Sequence, residues 1–208
     1  VRIISFYKLV LVLFIIQPTH GFGQVSKHEF GFRIGVNNAG LSAPNNNSTG
    51  SSITRLHAGL YARILLRGKT AFRPEVYYSI QGQRNDYASP VPGGNSIGSV
   101  TTTMNYLNVP FMLEWGRRIS LQGGPQVGFL LAAKEVGMIN SVPVNNELTS
   151  GIPRTDFSFV GGIAYSVGRQ IQIGVRYQHG LTNLVPQTGG LTRPSQSRVL
   201  QISACISF

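Results

Sequence analysis

Residues 28–37 read HEFGFRIGVN, and their alternation sets the reading of the whole chain. Phe30, Phe32, Ile34 and Val36 fall on one face; Glu29, Arg33 and Asn37 take the other, beside Gly31 and Gly35. A period of two marks a strand with unlike faces, because successive side chains point to opposite sides of the pleat. Residues 52–66 set Leu56, Ala58, Leu60, Ala62, Ile64 and Leu66 against Arg55, His57, Gly59, Tyr61 and Arg63. Residues 69–83 set Phe72, Val76, Tyr78 and Ile80 against Arg73, Glu75, Tyr77 and Gln81, and residues 100–116 set Leu107, Phe111 and Trp115 against Tyr106, Asn108 and Glu114. The same division recurs over 118–133, 155–167, 169–183 and 197–208, the last with Leu200, Ile202, Ala204, Ile206 and Phe208 opposite Gln201, Ser203 and Cys205. Each run supplies the roughly 9–11 residues that a tilted strand needs to cross a bilayer.

The connections alternate in length. Arg67-Gly68-Lys69, Gly116-Arg117 and Val167-Gly168-Arg169 are tight turns, whereas 38–51, 84–99, 134–154 and 184–196 are long and rich in Asn, Ser, Pro and Gly. Short turns at one end and long loops at the other characterise outer-membrane barrels. The expected fold is all-β: an eight-stranded antiparallel up-and-down transmembrane barrel, with both termini and the tight turns in the periplasm and the long loops outside.

Composition agrees with two-faced strands. Among 208 residues only 12% are charged, against about 25% in typical domains, and 25 are Gly. Mean hydropathy is nevertheless only +0.06, because Ser, Thr, Asn and Gln dilute the apolar residues. The net charge of +11 raises the question of nucleic acid, but the cations are scattered singly apart from Arg117-Arg118. Outer-membrane lipid is the expected partner, and nucleic acid is not. A single cysteine, Cys205, leaves no internal disulfide and no cysteine-based metal cluster.

Residues 1–23 read as a signal peptide: Arg2 and Lys8 precede the apolar run Leu9–Ile16, and Gly21-Phe22-Gly23 stands before Gln24. Residues 24–208 form the barrel domain. The main structural alternative is a soluble lipocalin-like barrel, which also has eight strands but turns its apolar face inward. Aromatic placement favours the membrane. Phe72, Trp115, Tyr165 and Phe208 lie at the short-turn ends of their strands; Tyr78, Phe129, Phe157 and Phe159 lie nearer the long loops. Two girdles of this kind are expected where rings meet headgroups.

Seven segments in order, FGFRIGVNNAGLS, FRPEVYYSIQGQ, YLNVPFMLEWG, GGPQVGFLLAAK, TDFSFVGGIAYSVG, VRYQHGLTNL and RVLQISACISF, resemble the PorT-like family of outer-membrane β-barrels of Bacteroidota. The resemblance covers nearly the whole mature chain and implies a closed eight-stranded barrel. Some family members assist type IX secretion, a role that belongs to those members. Phe208 also looks like the aromatic signal read by the barrel-insertion machinery.

The polar face gathers Glu29, Arg33, Arg55, Arg63, Arg73, Glu75, Glu114 and Arg176. Eight strands enclose a space that side chains can fill, and charges there need partners. An internal Arg–Glu plug is therefore expected, with a narrow, weakly anion-selective path as the alternative. Neither catalysis, a cofactor nor a metal site is expected, since no His or acid cluster has ligand spacing; a loop-borne lipid-modifying activity involving His57 is a remote alternative. Asp86 or Asp156 could approach a loop serine, Asp86 and Glu147 would share calcium only by chance, and Cys205 reads as a lumen filler. The functional expectation is a monomeric structural or interaction protein. Its loops, or turns bearing Arg67, Lys69, Arg117, Arg118 and Arg169, would dock other envelope or secretion components.

Overall fold

The computed structural model describes residues 28–42, 48–88, 97–184 and 196–208. The expected signal peptide, and parts of three of the long connections, lie outside the described residues. Among the described residues nine strands follow in order: β1 His28–Ser42, β2 Ser48–Arg67, β3 Thr70–Ala88, β4 Ile97–Gly116, β5 Ile119–Ile139, β6 Val142–Glu147, β7 Thr155–Val167, β8 Ile171–Gly180 and β9 Gln196–Ser207. All except β6 close into one antiparallel ring, because β1 pairs with β9 and β4 pairs with β5.

The size of the ring follows from its register. Paired residues lead once around from His28 through Ile64, Phe72, Leu113, Gly123, Gly161, Tyr177 and Leu200 back to β1 at Asn38, a stagger of ten residues. With eight strands, ordinary strand spacings then give a tilt of roughly 40° and a backbone radius of about 8 Å. Such a bore has room for side chains and little else.

The barrel strands outrun the expected runs at the long-loop end. β1, β3 and β5 continue to Ser42, Ala88 and Ile139, where strand ends were expected at 37, 83 and 133. Thr101, Thr102 and Thr103 sit there opposite Arg84, Gln83 and Gly82. Once two strands are in register their backbone groups go on pairing beyond the apolar band, and β-branched threonine suits the pleat. The region 134–154, expected as a loop, contains the end of β5 and all of β6. Asn140 and Ser141, with φ of 51° and 65°, form the two-residue turn between them. At the opposite end Gly68 and Gly168 take φ of 64° and 79° in tight turns, positions that favour glycine.

The two faces have opposite chemistry. Phe32, Ile34, Leu121, Ile163, Ile173 and Ile202 point outward and are about half exposed, while Arg33, Arg73, Glu75, Glu114 and Arg176 are buried inside. A lipocalin-like barrel has the reverse arrangement. Soluble monomers rarely expose contiguous apolar patches beyond a few hundred Å², and here the apolar surface encircles the barrel. All eight expected girdle residues face outward; Phe72 is partly covered. Tyr165 and Phe157 lie eight residues apart on β7, about 20 Å along the barrel axis at that tilt. That spacing is close to the height of an outer-membrane apolar band.

Ile202 sits opposite both Val36 and Val175, near the middle of this band. Ile202→Arg is expected to lower folding stability in lipid vesicles by about 2–4 kcal/mol. Equilibrium unfolding in urea checks this, and an unchanged midpoint would speak against lipid contact.

Candidate functional site

The narrow bore forces inward side chains from opposite walls to meet. Glu75 of β3 lies at the centre and is 3% exposed. Its Oε2 accepts from Arg33 Nη1 of β1 at 2.7 Å and from Arg176 Nη1 of β8 at 2.8 Å, and its Oε1 accepts from Arg176 Nη2 at 2.7 Å. Arg73 Nε is also 2.8 Å from Oε1, without the alignment of a hydrogen bond. Three guanidiniums therefore share one carboxylate.

A second carboxylate extends the cluster toward the short turns. Glu114 Oε1 accepts from Arg63 Nε at 3.0 Å, and Oε2 accepts from Arg73 Nη1 at 3.2 Å and Gln122 Nε2 at 2.9 Å. Arg63 also reaches Glu29 at 3.3 Å. Neutral groups take up the remaining donors: Gln201 accepts from Arg33 at 2.9 Å, Gln122 from Arg176 at 2.7 Å, and Gln172 and Cys205 from Arg73. Arg73 also lies 3.9 Å from the centre of the Tyr61 ring, which fills the space beside Gly31. Buried ion pairs are tolerable only when their other hydrogen-bonding capacity is met, and here most of it is.

Seven of the eight expected lumen charges are thus brought together. Arg55 is the exception. A bulge between Ser52 and His57 inserts an extra β2 residue against β3, which breaks the alternation locally. Arg55 is exposed, and its hydrogen bond goes to the Thr54 carbonyl.

Above Glu75 uncharged groups hydrogen-bond to one another inside the lumen. Tyr77 Oη donates to Gln126 at 2.6 Å and accepts from Gln201 at 3.1 Å, and Gln126 donates to Ser158 at 3.1 Å. Near the long-loop end Met104, Tyr106, Leu130 and Ala133 form a small apolar core, against which Leu148 and Ile152 pack. This apolar core was not anticipated. Its signal was present in the inward parity of Met104 and Leu130, but bulky apolar residues there ran against a wholly polar interior.

The residues considered for catalysis lie apart. His57 is buried and accepts from Arg33 Nε at 3.3 Å. Asp156 does meet a serine, accepting from Ser197 Oγ at 3.2 Å near the long loops, whereas His28 is at the opposite end and His179 is beside Tyr177 on the outer face. Asp86 pairs with Arg84 at 2.9 Å, and Glu147 lies opposite Lys134. No three His, Cys, Asp or Glu side chains gather as metal ligands among the described residues. Phe208 is exposed; its amide donates to the Phe30 carbonyl at 2.9 Å and its ring lies 5.7 Å from Phe32.

Against this geometry, residues 19–185 match the family described as outer membrane protein beta-barrel domain. The chain belongs to this family. Its place is accordingly the bacterial outer membrane. Comparison with curated proteins finds no match. Among solved structures the chain is similar to Ail, the attachment invasion locus protein of Yersinia pestis, at 10% identity and a TM-score of 0.49, covering 88% of this chain and 99% of that one. It is also similar to Neisserial surface protein A, at 10% identity and a TM-score of 0.46, covering 86% and 97%. The outer membrane protein OprG of Pseudomonas aeruginosa follows at 11% identity and a TM-score of 0.37, covering 87% and 94%.

Removing the shared carboxylate leaves three guanidiniums around a neutral group. Glu75→Gln is expected to destabilise the refolded barrel by about 3–5 kcal/mol. Asp86→Asn, at a half-exposed pair, should cost less than about 1 kcal/mol. Urea midpoints of the two variants in the same detergent make the comparison.

Proposed function

We propose that the chain is a non-enzymatic outer-membrane protein whose lumen is closed by its own side chains and which serves as an interaction partner in the cell envelope. The observation that carries this reading is the Glu75 cluster. Arg33, Arg73 and Arg176 converge from three strands on one carboxylate inside a bore of about 8 Å backbone radius. A guanidinium bound in this way fills space that a solute would need. The apolar group around Tyr106 supports closure a second time, nearer the other end.

In this reading residues 1–23 direct export and are removed, and the barrel-insertion machinery places the domain as a monomer. The tight turns face the periplasm and the long hairpins face outward. The resemblance to PorT-like barrels of Bacteroidota supports an accessory role in envelope assembly or secretion. Recognition falls to the hairpins and turns, because a rigid barrel offers its variable surface there.

One observation favours a second reading, a narrow ion path. Arg33, Arg63, Arg73 and Arg176 face Glu29, Glu75 and Glu114, so the cluster holds one cation in excess. An open lumen of that sign would prefer anions.

Planar-bilayer recording of the refolded chain separates the two. The closed barrel is expected to show no steady single-channel openings in potassium chloride. Regular openings with anion preference would establish the path and overturn the plug.

A further inference from the structure

A cavity of about 380 Å³ opens at the short-turn end, and arginine dominates its wall. Arg63, Arg73, Arg117, Arg118 and Arg169 line it, with Glu29 as the only carboxylate among the described residues of its wall. The two deeper cations are engaged: Arg63 pairs with Glu29 and Glu114, and Arg73 with Glu75 and Glu114. The three at the rim are different. Arg117, Arg118 and Arg169 are exposed, and none forms an ion pair among the described residues.

These three cations are held on a frame. Arg117 and Arg118 lie between β4 and β5, and Arg169 lies between β7 and β8. The amide of Ser166 donates to the Arg118 carbonyl at 2.8 Å, tying the two hairpins together, while the Arg118 guanidinium lies 5.5 Å from the centre of the outward-facing Tyr165 ring, at the outer edge of the rim. Like charges held near one cavity repel, and an anion between them relieves that repulsion. Guanidinium forks match the tetrahedral oxygens of phosphate, and Ser166, Gln170 and Gln172 add uncharged hydrogen-bonding groups to the same wall.

We propose that the short-turn mouth of the barrel is a binding site for a phosphate-class oxyanion, held by Arg117, Arg118 and Arg169. Two sources present this chemistry at a membrane surface: a phospholipid headgroup from the adjoining leaflet and a water-soluble phosphate compound. The volume suits a small phosphate-bearing group rather than a folded protein. The site lies below the Glu75 cluster, so it stands whether or not the lumen conducts.

Inorganic pyrophosphate is the probe. Titrated calorimetrically into the refolded chain in non-ionic detergent at low ionic strength, it is expected to bind saturably at one site. The double variant R117Q/R169Q should weaken binding by about tenfold or more through loss of charge-assisted bonds. The pair R67Q/K69Q, which removes two cations from the third tight turn outside the cavity, should change it by less than about twofold. Heat-dependent gel migration confirms that both variants are folded. Repeating the titration in nanodiscs distinguishes the sources. Binding abolished in phosphatidylglycerol but kept in phosphatidylcholine assigns the site to a lipid headgroup; binding kept in both assigns it to a soluble phosphate. Absence of saturable binding in detergent, or equal weakening by the two variant pairs, would overturn the proposal.

Discussion

Glu75 is a carboxylate that Arg33, Arg73 and Arg176 share from different walls of the barrel, and the rest of the interior is arranged around that sharing. Lipid offers no hydrogen bonds, so a membrane sheet must close on itself. Closure with eight strands and a stagger of ten residues leaves a bore in which opposing side chains meet. Any charge placed there loses its water and must be met by protein. Four guanidiniums and three carboxylates, bordered by Gln122, Gln172 and Gln201, meet most of that demand internally. The outer face carries the complementary constraint, with Phe, Leu and Ile where solvent would penalise them and hydrocarbon does not.

Much of this was legible in the alternation. The inward face of Glu29, Arg33, Arg73, Glu75, Glu114 and Arg176 followed from a period of two, because the pleat permits nothing else once one face is committed to lipid. The alternation of tight turns with long connections indicated up-and-down order. What parity does not supply is which inward residues touch. Glu75 and Arg176 are 101 positions apart, and they meet only because the stagger brings the wall of β8 level with that of β3.

The failures have local causes. Arg55 has the right parity but lies within the bulge between Ser52 and His57, where the regular alternation against β3 is interrupted. The β5–β6 hairpin was hidden because its turn is Asn140-Ser141 rather than Asn-Gly, and because strands standing in water need no apolar face to announce them. The apolar core of Met104, Tyr106 and Leu130 was passed over since a polar lumen was expected along its full length. The rim arginines were visible as turn residues, but the cavity they surround arises from the spatial meeting of two hairpins far apart in the chain.

Cys205 provides the most direct test of the proposed closure of the lumen. It is the only cysteine in the chain, faces inward beside Arg73 and is 4% exposed. Labelling of the barrel in lipid vesicles with a small anionic methanethiosulfonate reagent, followed by mass spectrometry, reads whether water and solutes reach it. A closed lumen predicts no modification while the barrel is folded and complete modification in denaturant. Rapid modification of the folded barrel would show an open aqueous path at the level of the Arg–Glu cluster and would contradict the account.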